Sequence, residues 1–230
     1  MRRVDSPNFG PRRDGATPDM VVIHYTAMAD CAAAERALCS PEAEVSAHYL
    51  ISPQGAVTQL VPEAARAWHA GAGAWGTVTD INSRSIGIEL SNTGATPFAA
   101  PQMDALEDLL RGIMARWPVP AGRVIGHSDC APGRKIDPGA RFDWRRLARQ
   151  GLAVLPEAVD IDGPPDDLVG ATDAALVRAG YTADVPPEVR LAAFRLRARP
   201  AASGPCDLTD LALAHDMATR FPVDVDQTSA

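Results

Sequence analysis

The segment GHSDCAPGRKIDPG (126–139) constrains this chain more than any other stretch. Pro132 and Pro138, with Gly133 and Gly139, fix its backbone and disfavour both a helix and a central strand. It sets His127, Lys135 and Asp137 on one rigid loop, and a metal site is the reading that uses all three. In an extended segment alternate side chains point the same way, so Lys135 and Asp137 are expected to face one cavity. An imidazole and a carboxylate are both good zinc ligands, and a cation beside a ligand carboxylate suits catalysis.

A third ligand stands in a similar setting. MVVIHYT (20–26) reads as a buried strand, four apolar residues preceded by the turn-prone 15–19. His24 lies toward its C-terminal end, where open sheets present functional groups. VIGH (124–127) repeats the pattern, a short apolar strand ending in a histidine. Two strand-end histidines and a loop aspartate give a His2Asp set with a fourth position open, the ligand count of a catalytic Zn2+ site; structural sites usually close with four protein ligands. SIGIELS (85–91) reads as another strand, with Ile86, Ile88 and Leu90 on one face and Ser85, Gly87, Glu89 and Ser91 on the other. A carboxylate in mid-strand is unfavourable without a partner or a task. Glu89 is therefore the candidate general base, taking a proton from the attacking water and passing it to a leaving nitrogen. Lys135 is the candidate for stabilising the oxyanion.

Four stretches carry a resemblance: VVIHYTA (21–27), SAHYLISPQGAVTQLVPEAARAWHAG (46–71), NSRSIGIELSN (82–92) and GHSDCAPGRKIDPG (126–139). In this order they resemble the zinc-dependent N-acetylmuramoyl-L-alanine amidases of the type 2 group (AmiD/AmpD-like), over roughly residues 18 to 150. The resemblance implies Zn2+ ligation by His24, His127 and Asp137, a catalytic Glu89 and an oxyanion-stabilising Lys135. It implies hydrolysis of the amide between N-acetylmuramic acid, or its 1,6-anhydro form, and L-alanine of the stem peptide. Peptidoglycan fragments or peptidoglycan would then be the partner. Peptidoglycan-recognition relatives lose a metal ligand and become binders; here all five positions are filled, which argues for an active enzyme. Two rivals stand beside this reading: a non-catalytic recognition module, and a zinc peptidase acting on stem peptides.

Around the site, His69 in WHAG (68–71) is expected to line the substrate groove or to pack structurally, and Trp75 with loop 71–82 to form a groove wall. Asn82 and Arg84 are candidates to receive peptide carboxylates, Arg84 because a guanidinium binds them bidentately. His48 is expected to be buried and hydrogen-bonded, Arg134 to be a surface or ion-pair residue, and His215 to be exposed. Asp129 is expected to orient the His127 imidazole, and Asp143 to cap the helix beginning at Trp144.

The architecture expected is α/β, a central mixed β-sheet flanked by helices, with a small C-terminal three-helix domain. Strands are placed near 20–26, 47–52, 56–61, 85–91 and 123–127, and helices near 29–39, 101–116 and 143–150. Residues 1–150 form the catalytic domain and 151–165, rich in Pro, Gly and acids, a linker. Residues 166–230 hold helical patterns at 167–179, 187–199 and 207–221, a peptidoglycan-binding domain or a structural appendage. A net charge of −7 and a pI of about 5.2 argue against a nucleic-acid partner. No apolar run reaches the length of a membrane span. Cys31 and Cys39, about 12 Å apart along a helix, cannot bridge, and no disulfide framework is read from them, Cys130 and Cys206. Unpaired thiols and a start without an apolar signal core point to a cytoplasmic monomer, or a periplasmic one if a leader is missing.

Overall fold

The computed structural model describes residues 1–161 and 163–223. Residue 162 of the expected linker and residues 224–230 of the expected C-terminal unit lie outside the described residues. In chain order the strands and helices are β1 (Arg2–Arg3), β2 (Phe9–Pro11), β3 (Met20–Tyr25), α1 (Cys31–Leu38), β4 (Tyr49–Ile51), β5 (Val57–Gln59), β6 (Ala65–Ala67) and α2 (Ile81–Arg84). There follow β7 (Ser85–Leu90), α3 (Ala100–Arg116), β8 (Val124–Gly126), α4 (His127–Cys130), α5 (Trp144–Ala148), α6 (Leu168–Arg178), α7 (Pro187–Ala198) and α8 (Leu208–Arg220). Aspartates start five of these helices: Asp30, Asp80, Asp143, Asp167 and Asp207 each accept a backbone N–H of the first turn of α1, α2, α5, α6 and α8.

Six strands form one mixed sheet in the order β1-β5-β4-β7-β3-β8, in which only the β4–β5 hairpin is antiparallel. A separate two-stranded ribbon joins β2 to β6. The middle of the sheet is covered on both faces, which is why MVVI and SIGI read as almost continuous apolar runs. Alternation along β3 divides the core. Val21 and Ile23, with Ile86 and Ile88, pack against Met103, Leu106, Leu110 and Ile113 of α3. Met20 and Val22 face the other way, into a cluster with Ile125, Trp75 and residues of the C-terminal helices, among them Leu176, Phe194 and Met217. The sheet and α6–α8 therefore share one hydrophobic cluster.

His24 continues the Met20–Val22 face. Its register partner on β7 is Glu89, and Ile23 pairs with Gly126, the residue before His127. Pairing alone thus gathers His24, Glu89 and His127 at the C-terminal ends of three adjacent parallel strands. One expectation needs correction here. The 126–139 segment does contain helix, because His127–Cys130 form the single turn α4, closed by the Asp129 carboxylate on the Gly126 N–H. Among the described residues no helix is long and apolar enough to cross a membrane.

Candidate active site

His24, His127 and Asp137 meet in a buried triangle, with exposures of 1%, 2% and 8%. His24 Nδ1 lies 3.0 Å from His127 Nδ1 and 2.8 Å from Asp137 Oδ2, and His127 Nδ1 lies 3.1 Å from the same oxygen. The hydrogen bonds behind the triangle decide which ring nitrogens carry protons. His127 Nε2–H donates to the Ala70 carbonyl at 2.8 Å, so its Nδ1 presents a lone pair. Behind His24 the chain is longer. Ser85 Oγ–H donates to the Ile81 carbonyl at 2.6 Å, so Oγ accepts from His69 Nε2–H at 3.1 Å. His69 Nδ1 is then the acceptor for His24 Nε2–H at 3.0 Å, and His24 Nδ1 also presents a lone pair.

Burial, followed by the His127 charge, lowers the His24 pKa to about 4, so its neutral, donating form prevails near neutrality. Burial opposes ionisation of Asp137, and positive charge on the His127 and His24 rings would hold it well below the usual carboxylate range; with both Nδ1 atoms proton-free, that charge has to come from a cation between them. Two imidazole lone pairs and a carboxylate oxygen facing one point repel one another unless a cation lies among them. The separations of 2.8–3.1 Å fall a little inside the roughly 3.3 Å that tetrahedral ligands have at metal distances of about 2.0–2.1 Å. The donor set therefore fits a tetrahedral cation such as zinc, with each histidine held by an outer partner as metal-binding histidines are.

Glu89 stands beside the triangle on the floor of a cleft of about 520 Å³. Its Oε2 is shielded from solvent and has no hydrogen-bond partner among the described residues. Burial, then the nearby Asp137 charge, raises its pKa to about 8, against the opposing pull of Lys135. A buried carboxylate oxygen left without a partner in a cleft marks a functional position. Lys135 is exposed on the rim and lines the same cleft as Asp137.

Three of the substrate-binding expectations are corrected by their surroundings. Trp75 is fully buried, edge-on to Tyr181 in the core, and forms no cleft wall. Trp68 and Tyr25 line the cleft instead, together with apolar residues that include Met28, Ala34 and Leu38. Asn82 is buried, its Oδ1 accepting the His69 and Ala70 amides, so it shapes the backbone that holds His69. Arg84 pairs with Asp19, 65 positions away in sequence, outside the cleft. His69 does reach the cleft, but both its ring nitrogens are engaged by His24 and Ser85. Arg134 makes no ion pair among the described residues; its Nη2 donates to the carbonyls of Ala70 and Ala72. Asp129 does not touch the His127 ring, and its carboxylate is used by Gly126, Tyr181 and Arg197.

Ser85 and the Ala70 carbonyl were not singled out from sequence. Ser85 carried a signal, since alternation puts it on the Glu89 face of β7. Gly87 carried another: a Cβ there would lie 2.4 Å from His69 Cγ, and glycine inside a strand often marks such a close approach.

His48 is fully buried, as expected, accepting Gly87 N–H at Nδ1 (2.9 Å) and donating from Nε2 to Ala65 O (3.1 Å). Burial pushes its pKa down to about 3. A base kept neutral in the fold but protonated near 6.5 when unfolded contributes stability that is complete above pH 6.5. That stability is lost as pH falls toward 3. His48→Asn is expected to flatten the acid dependence of the metal-free protein between pH 6 and 4.5 by one proton, about 1.4 kcal/mol per pH unit. Urea unfolding across that range measures it, and an unchanged slope would exclude His48 as the titrating group.

A mixed sheet ending in two histidines and an aspartate that could hold a metal ion, with a carboxylate and a lysine in the same cleft, is the setting of a hydrolase. The chain belongs to the N-acetylmuramoyl-L-alanine amidase family, which residues 14–140 match. It is 33% identical to N-acetylmuramoyl-L-alanine amidase AmiD of Escherichia coli, over 89% of this chain and 84% of that protein. It is 34% identical to 1,6-anhydro-N-acetylmuramyl-L-alanine amidase AmpD of Citrobacter freundii, over 64% of this chain and 87% of that one. In three dimensions it resembles E. coli AmiD bound to anhydro-N-acetylmuramic acid-L-Ala-D-gamma-Glu-L-Lys, with a TM-score of 0.80, 33% identity and coverage of 92% and 91%. Pseudomonas aeruginosa AmpDh3 in complex with anhydromuramic pentapeptide gives a TM-score of 0.75 at 29% identity, covering 95% and 96%.

Proposed function

We propose that this chain is a zinc-dependent amidase that hydrolyses the bond between the lactyl group of N-acetylmuramic acid, or its 1,6-anhydro form, and L-alanine of a muropeptide. The observation that carries the reading is the convergence of three proton-free donors beside a carboxylate oxygen that has no partner among the described residues. His24, His127 and Asp137 would hold the ion. Zinc there would supply Lewis acidity, bringing the pKa of water to about 7 and polarising the amide carbonyl.

The rest of the chemistry falls to side chains of this chain. Glu89 Oε2, free of competing donors, accepts a proton from the attacking water and returns it to the L-alanine nitrogen as the C–N bond breaks. The water oxygen ends on the lactyl carbonyl carbon, giving a free carboxylate on the sugar and a free amine on the peptide. Lys135 supplies positive charge to the oxyanion that forms between these steps. The muropeptides bound by AmiD and AmpDh3 support the substrate class.

The test is mass spectrometry of anhydro-N-acetylmuramic acid tripeptide incubated with zinc-loaded protein and with a chelator-stripped control. Release of intact tripeptide and free anhydro-sugar with zinc alone is the expected result. Cleavage inside the tripeptide would replace the amidase by a peptidase. No cleavage of this substrate or of whole peptidoglycan would leave a recognition module.

A further inference from the structure

A buried charge cluster is built on the helical turn that carries His127. Asp129, in α4 two residues after His127, is 1% exposed and fully hydrogen-bonded. Its Oδ2 accepts the Gly126 N–H at 2.8 Å and Arg197 Nη1 at 2.9 Å, and its Oδ1 accepts the Tyr181 hydroxyl at 2.7 Å. Tyr181 and Arg197 both belong to the C-terminal region, after α6 and in α7.

Arg197 does more than neutralise Asp129. Its guanidinium, with a side chain 1% exposed, donates to the Val124 carbonyl at 3.2–3.3 Å and to the Val154 carbonyl at 2.8–3.2 Å, and lies 3.9 Å over the Trp144 ring. One arginine therefore grips both sides of the β8–α4 corner, Val124 before it and Asp129 after it, with His127 between them. Gly126 at the corner is enclosed: a Cβ there would lie 2.7 Å from Pro138 and 3.3 Å from Trp144. The corner is in turn bonded to the other ligand segment, since Ser128 N–H donates to the Asp137 carbonyl at 2.9 Å.

Desolvating an arginine and an aspartate is costly, and a buried pair is weak evidence for stability. What this pair does is fix geometry. A rotation at the corner would carry His127 Nδ1 away from His24 and Asp137, and each hydrogen bond named above opposes that rotation.

We propose that Tyr181 and Arg197 are positioning residues for the metal centre, acting through Asp129 on the backbone that carries His127. The C-terminal helices are then part of the site itself, whatever else they bind. The inference rests on the reading of His24, His127 and Asp137 as a metal centre, and not on the substrate.

The experiment uses the full chain. Zinc affinity is measured by competition with a chromogenic chelator, and the visible absorption of the cobalt-substituted protein reports ligand geometry. Melting of the metal-free form is followed in parallel. Tyr181→Phe, which removes one hydroxyl, is expected to weaken zinc binding about tenfold, the low end of the range for direct outer partners of metal ligands, since Tyr181 acts one bond further out. Arg197→Lys is expected to do the same and to alter the cobalt spectrum. The control is Arg195→Lys, whose buried partner Asp210 lies within the C-terminal helices. At a comparable loss of melting temperature it should leave zinc affinity within twofold of the native protein. Equal zinc affinity in Tyr181→Phe and the native chain, or equal losses in the control, would overturn the inference while leaving the metal centre intact. A native chain that binds no zinc would overturn the metal-centre reading and this inference with it.

Discussion

Asp137→Ala is expected to lose zinc and activity together. The triangle of His24, His127 and Asp137 offers a single anionic donor, and Asp137 supplies it. Zinc sites with four protein ligands bind with about 10–16 kcal/mol, so one ligand is worth about 2.5–4 kcal/mol, or a factor of about 10² to 10³ in affinity. Dialysed protein should then hold little zinc, and turnover should fall in proportion to metal content. The fold should survive, because the loop keeps its backbone bonds, among them Ser128 N–H to the residue 137 carbonyl and Lys135 N–H to Ala131 O. Metal analysis after dialysis, beside circular dichroism, separates the two effects. A stoichiometric zinc content in folded Asp137→Ala would remove Asp137 from the ligand set.

The parts of this site that were legible in the sequence share one physical basis. His24 and Glu89 sit in apolar runs whose alternation fixes the face of each side chain, and strand pairing then sets them side by side. The 126–139 loop was legible because proline and glycine restrict its backbone. What stayed hidden depends on distant partners. Trp68 opens the WHAG segment and Trp75 lies just beyond it, and nothing local tells which is buried; Tyr181, more than a hundred residues on, covers Trp75. Arg84 has its carboxylate partner in Asp19, 65 positions away, which no local pattern reveals. The Ala70 carbonyl that orients His127 has no signature, since every residue carries a carbonyl. The ribbon of β2 with β6 pairs three-residue strands far apart in the chain, too short for any periodicity. The helices α6–α8 announced themselves by apolar spacing, but their docking on the Met20–Val22 face depends on both partners at once.

Glu89→Gln is expected to lower turnover by about 10²- to 10⁴-fold while leaving zinc in place. The amide keeps the size of the carboxylic acid but cannot accept and return a proton. A fall in kcat with little change in KM would locate the loss in proton transfer. The same variant has an opposite effect on stability in the metal-free protein. Burial raises the Glu89 pKa to about 8, above its unfolded value of 4.5. A group with a raised folded pKa contributes stability that is complete below 4.5 and lost as pH rises through 8. Glutamine resembles the protonated acid and carries no such dependence. The variant should therefore gain on the native protein across that interval, by up to about 1.4 kcal/mol per pH unit, and the gap should level off above pH 8. Zinc should narrow the gap, because a neighbouring dication favours the ionised carboxylate. Single-turnover rates, bound zinc and urea midpoints from pH 5 to 9 test all three statements. If Glu89→Gln lost its zinc, or matched the native protein in turnover, Glu89 would be a structural residue and the proton would have to travel by another group.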